Sequence, residues 1–131
     1  MSLIVPIASE RLMLQTVLNI APAQNLRMKL FANDFTPTRA DTEASYKEVY
    51  GSSYTDIVLV PGNWTFEEGE RVIARYPTQM WTFGGAVGFV YGYYVVQGKS
   101  GKLLWAERFR EGPFNVYNNG DQIKVTPMII L

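Results

Sequence analysis

Apolar and polar residues alternate with a period of two along much of the chain. The clearest run is the pentapeptide LRMKL at 26–30, in which apolar and basic residues occupy successive positions. Such alternation is typical of a β-strand with one buried and one solvated face. The pattern therefore predicts a strand here, with its basic side chains in water.

Seven further strands are predicted between residues that favour turns. They are 55–60, 71–76, 79–83, 87–96, 102–109, 114–117 and 121–131. Short strands at such spacing are typical of a mainly β protein and predict an antiparallel β-sandwich, jelly-roll-like. Asn119-Gly120 is a hairpin turn signal, and Pro127 indicates an edge position or a bulge. The length of 131 residues fits a single domain, 1–131.

One segment near the N-terminus has a helical period instead. The pattern predicts an α-helix at about 9–21, with Ser9 as its N-cap and Pro22 beyond its end. Apolar residues cover more than half of its circumference. A helix with so wide an apolar arc is expected to be covered on more than one side.

The uncharged stretch 76–98 raises the question of a membrane span. Gly84, Gly88 and Gly92 are spaced by four, as in helix-packing motifs of membrane proteins. Pro77 and the Gly84-Gly85 pair fit a span poorly, whereas a period of two fits 87–96 well. This period places one set of alternating side chains on one strand face: Val87, Phe89, Tyr91, Tyr93 and Val95. The segment is therefore interpreted as a strand that pairs with 102–109 through a tight turn at 98–101, and no membrane contact is expected.

The amino-acid composition excludes several classes of catalytic and metal site. The chain has no cysteine and no histidine, which excludes a Ser-His-Asp triad, a cysteine nucleophile and the usual Cys/His zinc site. Lys plus Arg and Asp plus Glu both total 12, so general electrostatic binding to nucleic acid has no obvious source. Glu67, Glu68 and Glu70 are expected in a solvated turn. Two carboxylates across a cleft would suffice for a glycosidase, but no pair is singled out, and no catalytic, cofactor or metal residue is predicted.

Aromatic side chains allow two interpretations. Tyr93, Tyr94 and Trp105 could form a surface that stacks on sugar rings, which would suit a carbohydrate-binding module recognising a host surface. The favoured alternative places them in the core of a small β-domain, where large aromatics supply much of the buried area. Solvent exposure of Trp105 separates the two interpretations.

Several segments, taken together and in order, resemble a family of small tailed-phage proteins. They are the N-terminal VP, ER-LML, LRMKLFANDFTPT, QMWTF, VYGYYVV, LLWAERF and NNGDQIKVTPMIIL. The resemblance runs through most of the chain and is least distinct at 63–76. It implies a virion-associated structural role without catalytic residues, and a location in the virion or in the host cytoplasm during assembly. The N-terminus has no basic region typical of a signal peptide.

The predicted function is therefore a non-enzymatic structural or assembly component of a phage particle. The wide apolar arc of the helix and the apolar C-terminal strand predict a homo-oligomer with contacts at Leu12, Leu14 and Ile130. A trimer is favoured by analogy with phage fibre and decoration proteins. Other virion proteins and a glycan are the remaining expected partners.

Overall fold

The computed structural model describes residues 3–18 and 23–131, which form one α-helix and eleven β-strands with two short 3₁₀ turns. The helix α1 is Ile7–Val17. The strands are β1 (Leu26–Phe31), β2 (Ile57–Leu59), β3 (Thr65–Glu68), β4 (Val72–Arg75), β5 (Gln79–Thr82), β6 (Gly88–Val90), β7 (Gly92–Gln97), β8 (Leu103–Arg108), β9 (Phe114–Val116), β10 (Gln122–Val125) and β11 (Met128–Ile130). The predicted class, mainly β with antiparallel sheets and an N-terminal helix, is confirmed.

The main sheet has the strand order β2-β1-β7-β8, and all its pairs are antiparallel. The alternating strand at 26–30 is confirmed as β1, which pairs with β7 from Leu26–Gln97 to Phe31–Gly92. The predicted hairpin is confirmed as well, because β7 returns as β8 after the turn at 98–101. Every residue of β7 is buried, so this strand lies at the centre of the protein.

Three smaller antiparallel sheets pack against one face of the main sheet. They are β10-β5, β11-β4-β3 and β6-β9. The larger core cluster joins main-sheet residues such as Met28, Val95 and Trp105 to Trp81 of β5 and Ile123 of β10. Burial of apolar surface between these layers is the main stabilising contribution. The opposite face of the main sheet carries a smaller cluster around Phe31, Tyr46 and Tyr94.

The helix begins earlier than predicted. Pro6 is its N-cap residue, and the backbone N–H of Ile7 donates to the carbonyl of Arg39 at 3.1 Å. Pro6 has extended backbone angles, φ −72° and ψ 161°, as is usual for an N-cap residue, and no side chain caps the helix there. Ser9 therefore lies inside the helix, and its predicted role as the cap is wrong. Helical hydrogen bonding reaches Leu18, and the predicted end at 19–21 lies outside the described residues.

Two predicted strands are each divided between two sheets. The segment 87–96 breaks at Tyr91, where the chain leaves β6 and enters β7. As a result Val90 lies in the same core cluster as Tyr93 and Val95, and Phe89 is exposed; the continuous alternation predicted for this segment is wrong. The segment 121–131 breaks at 126–127, between β10 and β11.

Two local predictions also need correction. Asn119-Gly120 forms a turn, with Gly120 at φ +93°, but β9 pairs with β6 and β10 pairs with β5, so the turn does not close a hairpin of paired strands. Glu67 and Glu68 belong to β3, the exposed edge strand beside β4, and not to a turn. Within 3–18 and 23–131, no helix is long and apolar enough to cross a membrane.

Candidate functional site

An apolar groove of about 650 Å³ lies between α1 and the sheets. Its wall on the helix side contains Leu12, Met13 and Val17, and its opposite wall is one face of the sheet β11-β4-β3. Phe66, Ala74 and Ile129 share that face because they stand opposite one another in register. The volume falls in the range of about 300–1,000 Å³ that is typical of ligand sites. The groove is thus a candidate site built from the N-terminal helix and the C-terminal strand.

One end of the groove is more polar than the rest. Gln97 lies on β7, and Trp105 lies on β8 opposite Val95, so the two side chains are diagonal neighbours on one sheet face. Gln24 lines the same end, and its Oε1 accepts hydrogen bonds from the backbone N–H groups of Lys99 and Ser100, at 2.9 and 3.3 Å. The Gln97 side chain accepts a further hydrogen bond from the Ser100 hydroxyl at 2.7 Å. These bonds attach the turn at 98–101 to the polar end.

The helix carries a second apolar face that points away from the groove. Ile7, Leu14 and Leu18 recur at helical spacing, and their exposed fractions are 54%, 64% and 65%. We call these three residues the outer stripe. The wide apolar arc noted in the sequence therefore divides into a face that lines the groove and the outer stripe, which no described residue covers.

The predicted oligomer contacts lie in three different environments. Leu14 belongs to the outer stripe. Leu12 is half-buried and lines the groove, so it is not a free surface residue. Ile130 is 39% exposed and lines a separate cavity of about 380 Å³. The structure therefore brings none of the three together in one surface.

The predicted ligand contacts Tyr93, Tyr94 and Trp105 are core residues, with 3%, 4% and 1% of their surface exposed. A sugar ring cannot stack on them from solvent, so their burial agrees with the favoured core interpretation and not with the sugar-stacking alternative. Burial raises the pKa of Tyr93; the Glu107 carboxylate raises it further, and the Trp105 N–H opposes that rise. Burial likewise raises the pKa of Tyr94, with smaller increases from Glu48 and Asp56.

Exposed aromatics occur elsewhere, on the two-stranded sheet β6-β9. Phe89 stands directly opposite Asn115. Tyr117 directly follows the end of β9, two positions after Asn115; Phe89 is 52% and Tyr117 is 70% exposed. Asp121 holds the adjoining loop by accepting hydrogen bonds from the N–H groups of Asn118 and Tyr117, and these bonds lower the pKa of Asp121. The break of the strand at Tyr91, which turns Phe89 outward, was not visible in the sequence.

The partly buried carboxylates on the outer face of the main sheet are engaged in ion pairs and hydrogen bonds. Asp56 pairs with Arg27 at 2.8 Å, and Lys29 lies 3.3 Å from Glu48. The Tyr54 hydroxyl donates to Glu48 at 2.7 Å. These contacts link the segments before β2 to strand β1. Over the ranges that the structure describes, no group of three acidic residues is placed to hold a metal ion.

Comparison with family models, curated proteins and solved structures found no match for this chain. The geometry of the groove, the outer stripe and the β6-β9 face is therefore the basis for functional inference.

Proposed function

We propose that this chain is a non-enzymatic structural or assembly protein of a phage particle, and that it works as a closed homo-oligomer. The observation that supports assembly is the outer stripe, whose three large apolar side chains project from a helix that is already packed on its other side. Exposed apolar side chains grouped on one face mark interaction surfaces in soluble proteins, and Arg11, which lies on the same face between Ile7 and Leu14, would form the polar part of this one. The phage setting is supported by the sequence resemblance alone.

A homo-oligomer with closed symmetry would cover the outer stripe. A stripe along one helix can pack against the same stripe of a second copy, or of two further copies around an axis, without leaving an unpaired apolar face. The trimer favoured by analogy and a dimer both satisfy this requirement. The ion pair between Glu10 and Arg39, at 2.8 Å, lies beside the stripe and fastens the helix to the chain after β1.

Replacing Leu14 by Glu tests this surface. We expect the assembly to dissociate towards the 14.8 kDa monomer, because a charge would be buried in the apolar contact. Light scattering after size exclusion gives the mass, and far-UV circular dichroism checks that the fold is retained. Met80→Glu is the matched control, since Met80 is an exposed apolar residue on β5 away from the stripe. A folded Leu14→Glu variant with the wild-type oligomeric mass would exclude the stripe as the contact.

The β6-β9 face supports a second candidate function, a carbohydrate-binding module. Phe89 and Tyr117 present exposed rings on which a pyranose could stack, and the amide of Asn115, which stands opposite Phe89, could bond to sugar hydroxyls. The hydrogen bond from the backbone N–H of Tyr117 to the Asp121 carboxylate fixes the backbone that carries this ring. This face differs from the buried aromatic set predicted from the sequence.

Tyr117→Ala tests the carbohydrate candidate. On an array of oligosaccharides, we expect wild-type protein to bind at least one hexose-containing glycan and the variant to bind it about tenfold more weakly, which is about 1.4 kcal/mol. Tyr50→Ala is the control, because Tyr50 is another tyrosine with 93% of its surface exposed. If no glycan binds, or if both variants lose equal affinity, the face is not a sugar site.

A further inference from the structure

The cavity of about 380 Å³ lies between β8 of the main sheet and β11 of the opposite layer. Its volume falls in the range that is typical of sites for small ligands. Three of the residues that line it, Arg71, Thr126 and Ile130, are exposed, so the cavity is open to solvent. It is separate from the apolar groove, because Ile129 of β11 lines the groove while its neighbours Met128 and Ile130 line the cavity.

The main sheet supplies a negative charge to this cavity. Glu107 on β8 stands directly opposite Tyr93 on β7, and both line the cavity. Leu3 and Val5 stand on the same sheet face as Glu107, because Ile4 between them pairs its backbone with β8. Glu107 is only partly exposed, and no Lys or Arg side chain of the described residues forms an ion pair with it. A partly buried carboxylate without a cation is unfavourable, and a cationic group of a ligand would reduce that cost.

The opposite layer supplies a positive charge. Arg71 lies in the turn between β3 and β4 and lines the cavity from the side of the sheet β11-β4-β3. Its guanidinium pairs with no carboxylate of the part of the chain that the structure describes, including Glu107. Met128 and Ile130 share one face of β11 and complete this wall. The cavity therefore presents one carboxylate and one guanidinium, from two different layers, together with apolar side chains from both.

We propose that the cavity binds one small amino acid in its zwitterionic form. The ammonium group of the ligand pairs with Glu107, its carboxylate pairs with Arg71, and its hydrocarbon part lies against the apolar residues of both walls. An amine or a carboxylic acid would fit less well, because each would leave one of the two protein charges without a partner. The site goes beyond the assembly role and uses no residue of the outer stripe.

Saturation-transfer-difference NMR with L-leucine and with 6-aminohexanoic acid tests for binding. These two probes separate their charges by different distances, and both have an apolar part that suits the walls of the cavity. We expect saturable binding of at least one of them, with a Kd of about 1 mM or tighter. If neither probe shows saturable binding, the proposal is overturned.

Analogues that lack one charge test the recognition of a zwitterion. For leucine they are 3-methylbutylamine and 4-methylpentanoic acid, and for 6-aminohexanoic acid they are hexylamine and hexanoic acid. Each analogue should bind about tenfold more weakly than its parent, through loss of charge-assisted hydrogen bonds. An analogue that binds as tightly as its parent would show that the missing charge is not recognised, and the zwitterion assignment would be wrong.

Two variants assign the charges to their residues. Arg71→Gln should weaken binding of the amino acid about tenfold and leave its amine analogue unchanged, whereas Glu107→Gln should weaken the amino acid equally and leave the acid analogue unchanged. Arg110→Gln and Glu111→Gln are the matched controls, because both residues are exposed in the turn after β8 and do not line the cavity.

The Arg71→Gln variant decides the location of the site. Arg71 is exposed in a turn, so this variant should fold even if the half-buried Glu107 tolerates no change. Equal affinity of Arg71→Gln and wild type for the amino acid would overturn the site. The oligomeric mass of Arg71→Gln should match that of the wild type, so this result is independent of the assembly test.

Discussion

Replacing Gly92 by Ala is expected to destabilise the protein by about 3 kcal/mol, close to the upper end of overpacking effects in well-packed cores. Gly92 is the first residue of β7 and faces Phe31 across the β1-β7 pair. An added Cβ would lie 2.6 Å from ring atoms of Phe31 and would also meet the backbone carbonyl oxygen of Glu107. Phe31 is completely buried, so its ring has nowhere to move. Urea denaturation followed by fluorescence measures the change.

Gly62→Ala is the control for this prediction. Gly62 lies in the short turn after β2, and a Cβ there would meet nothing within 4 Å. We expect its free energy of unfolding to stay within about 1 kcal/mol of the wild-type value. Equal denaturation midpoints for Gly92→Ala and wild type would mean that β1, β7 and β8 are not packed as described.

Trp105→Ala is expected to lower the free energy of unfolding by about 3–5 kcal/mol, the usual range for truncating a buried tryptophan. The indole is 1% exposed and packs edge-on against Trp64, with the ring centroids 6.2 Å apart. Its removal takes apolar area from the centre of the larger cluster and leaves a cavity that joins the groove. Urea denaturation gives the magnitude, and near-UV circular dichroism reports the loss of the ordered aromatic pair.

Met80→Ala provides the comparison, because Met80 is 47% exposed and its truncation leaves no cavity. A change below about 0.5 kcal/mol is expected there. If Trp105→Ala were as mild as Met80→Ala, the burial of the indole would be contradicted, and the alternative sugar-stacking interpretation would regain support.

Strand β1 and the hairpin of β7 and β8 could be predicted from the sequence because their signals are local, whereas the pairing of β1 with β7 was not predicted. Leu26 and Met28 alternate with basic residues, and the glycines at 98 and 101 bound a short turn between two long apolar strands. The break at Tyr91 could not be predicted, because the period of two continues through it while the chain passes from one sheet to another. That change depends on Tyr91 pairing its backbone with Phe31 and Phe109, which are distant along the chain.

Less of the candidate site than of the fold could be predicted from the sequence. The type of an aromatic residue does not reveal whether it is exposed: Trp105 is buried, while Tyr117 is 70% exposed. The groove depends on how α1 lies over β8 and on a one-residue bulge at Leu104, and neither feature leaves a period in the sequence. The wide apolar arc of the helix was visible, and the structure shows which part of it remains uncovered.

The molar mass of the wild-type protein in solution tests the assembly proposal most directly. At micromolar concentration, light scattering after size exclusion should give two or three times 14.8 kDa, with the same multiple across a tenfold dilution. That result is expected because the outer stripe exposes Ile7, Leu14 and Leu18 in a single chain. A mass of 14.8 kDa throughout the dilution series would contradict the proposal that this chain assembles through its N-terminal helix.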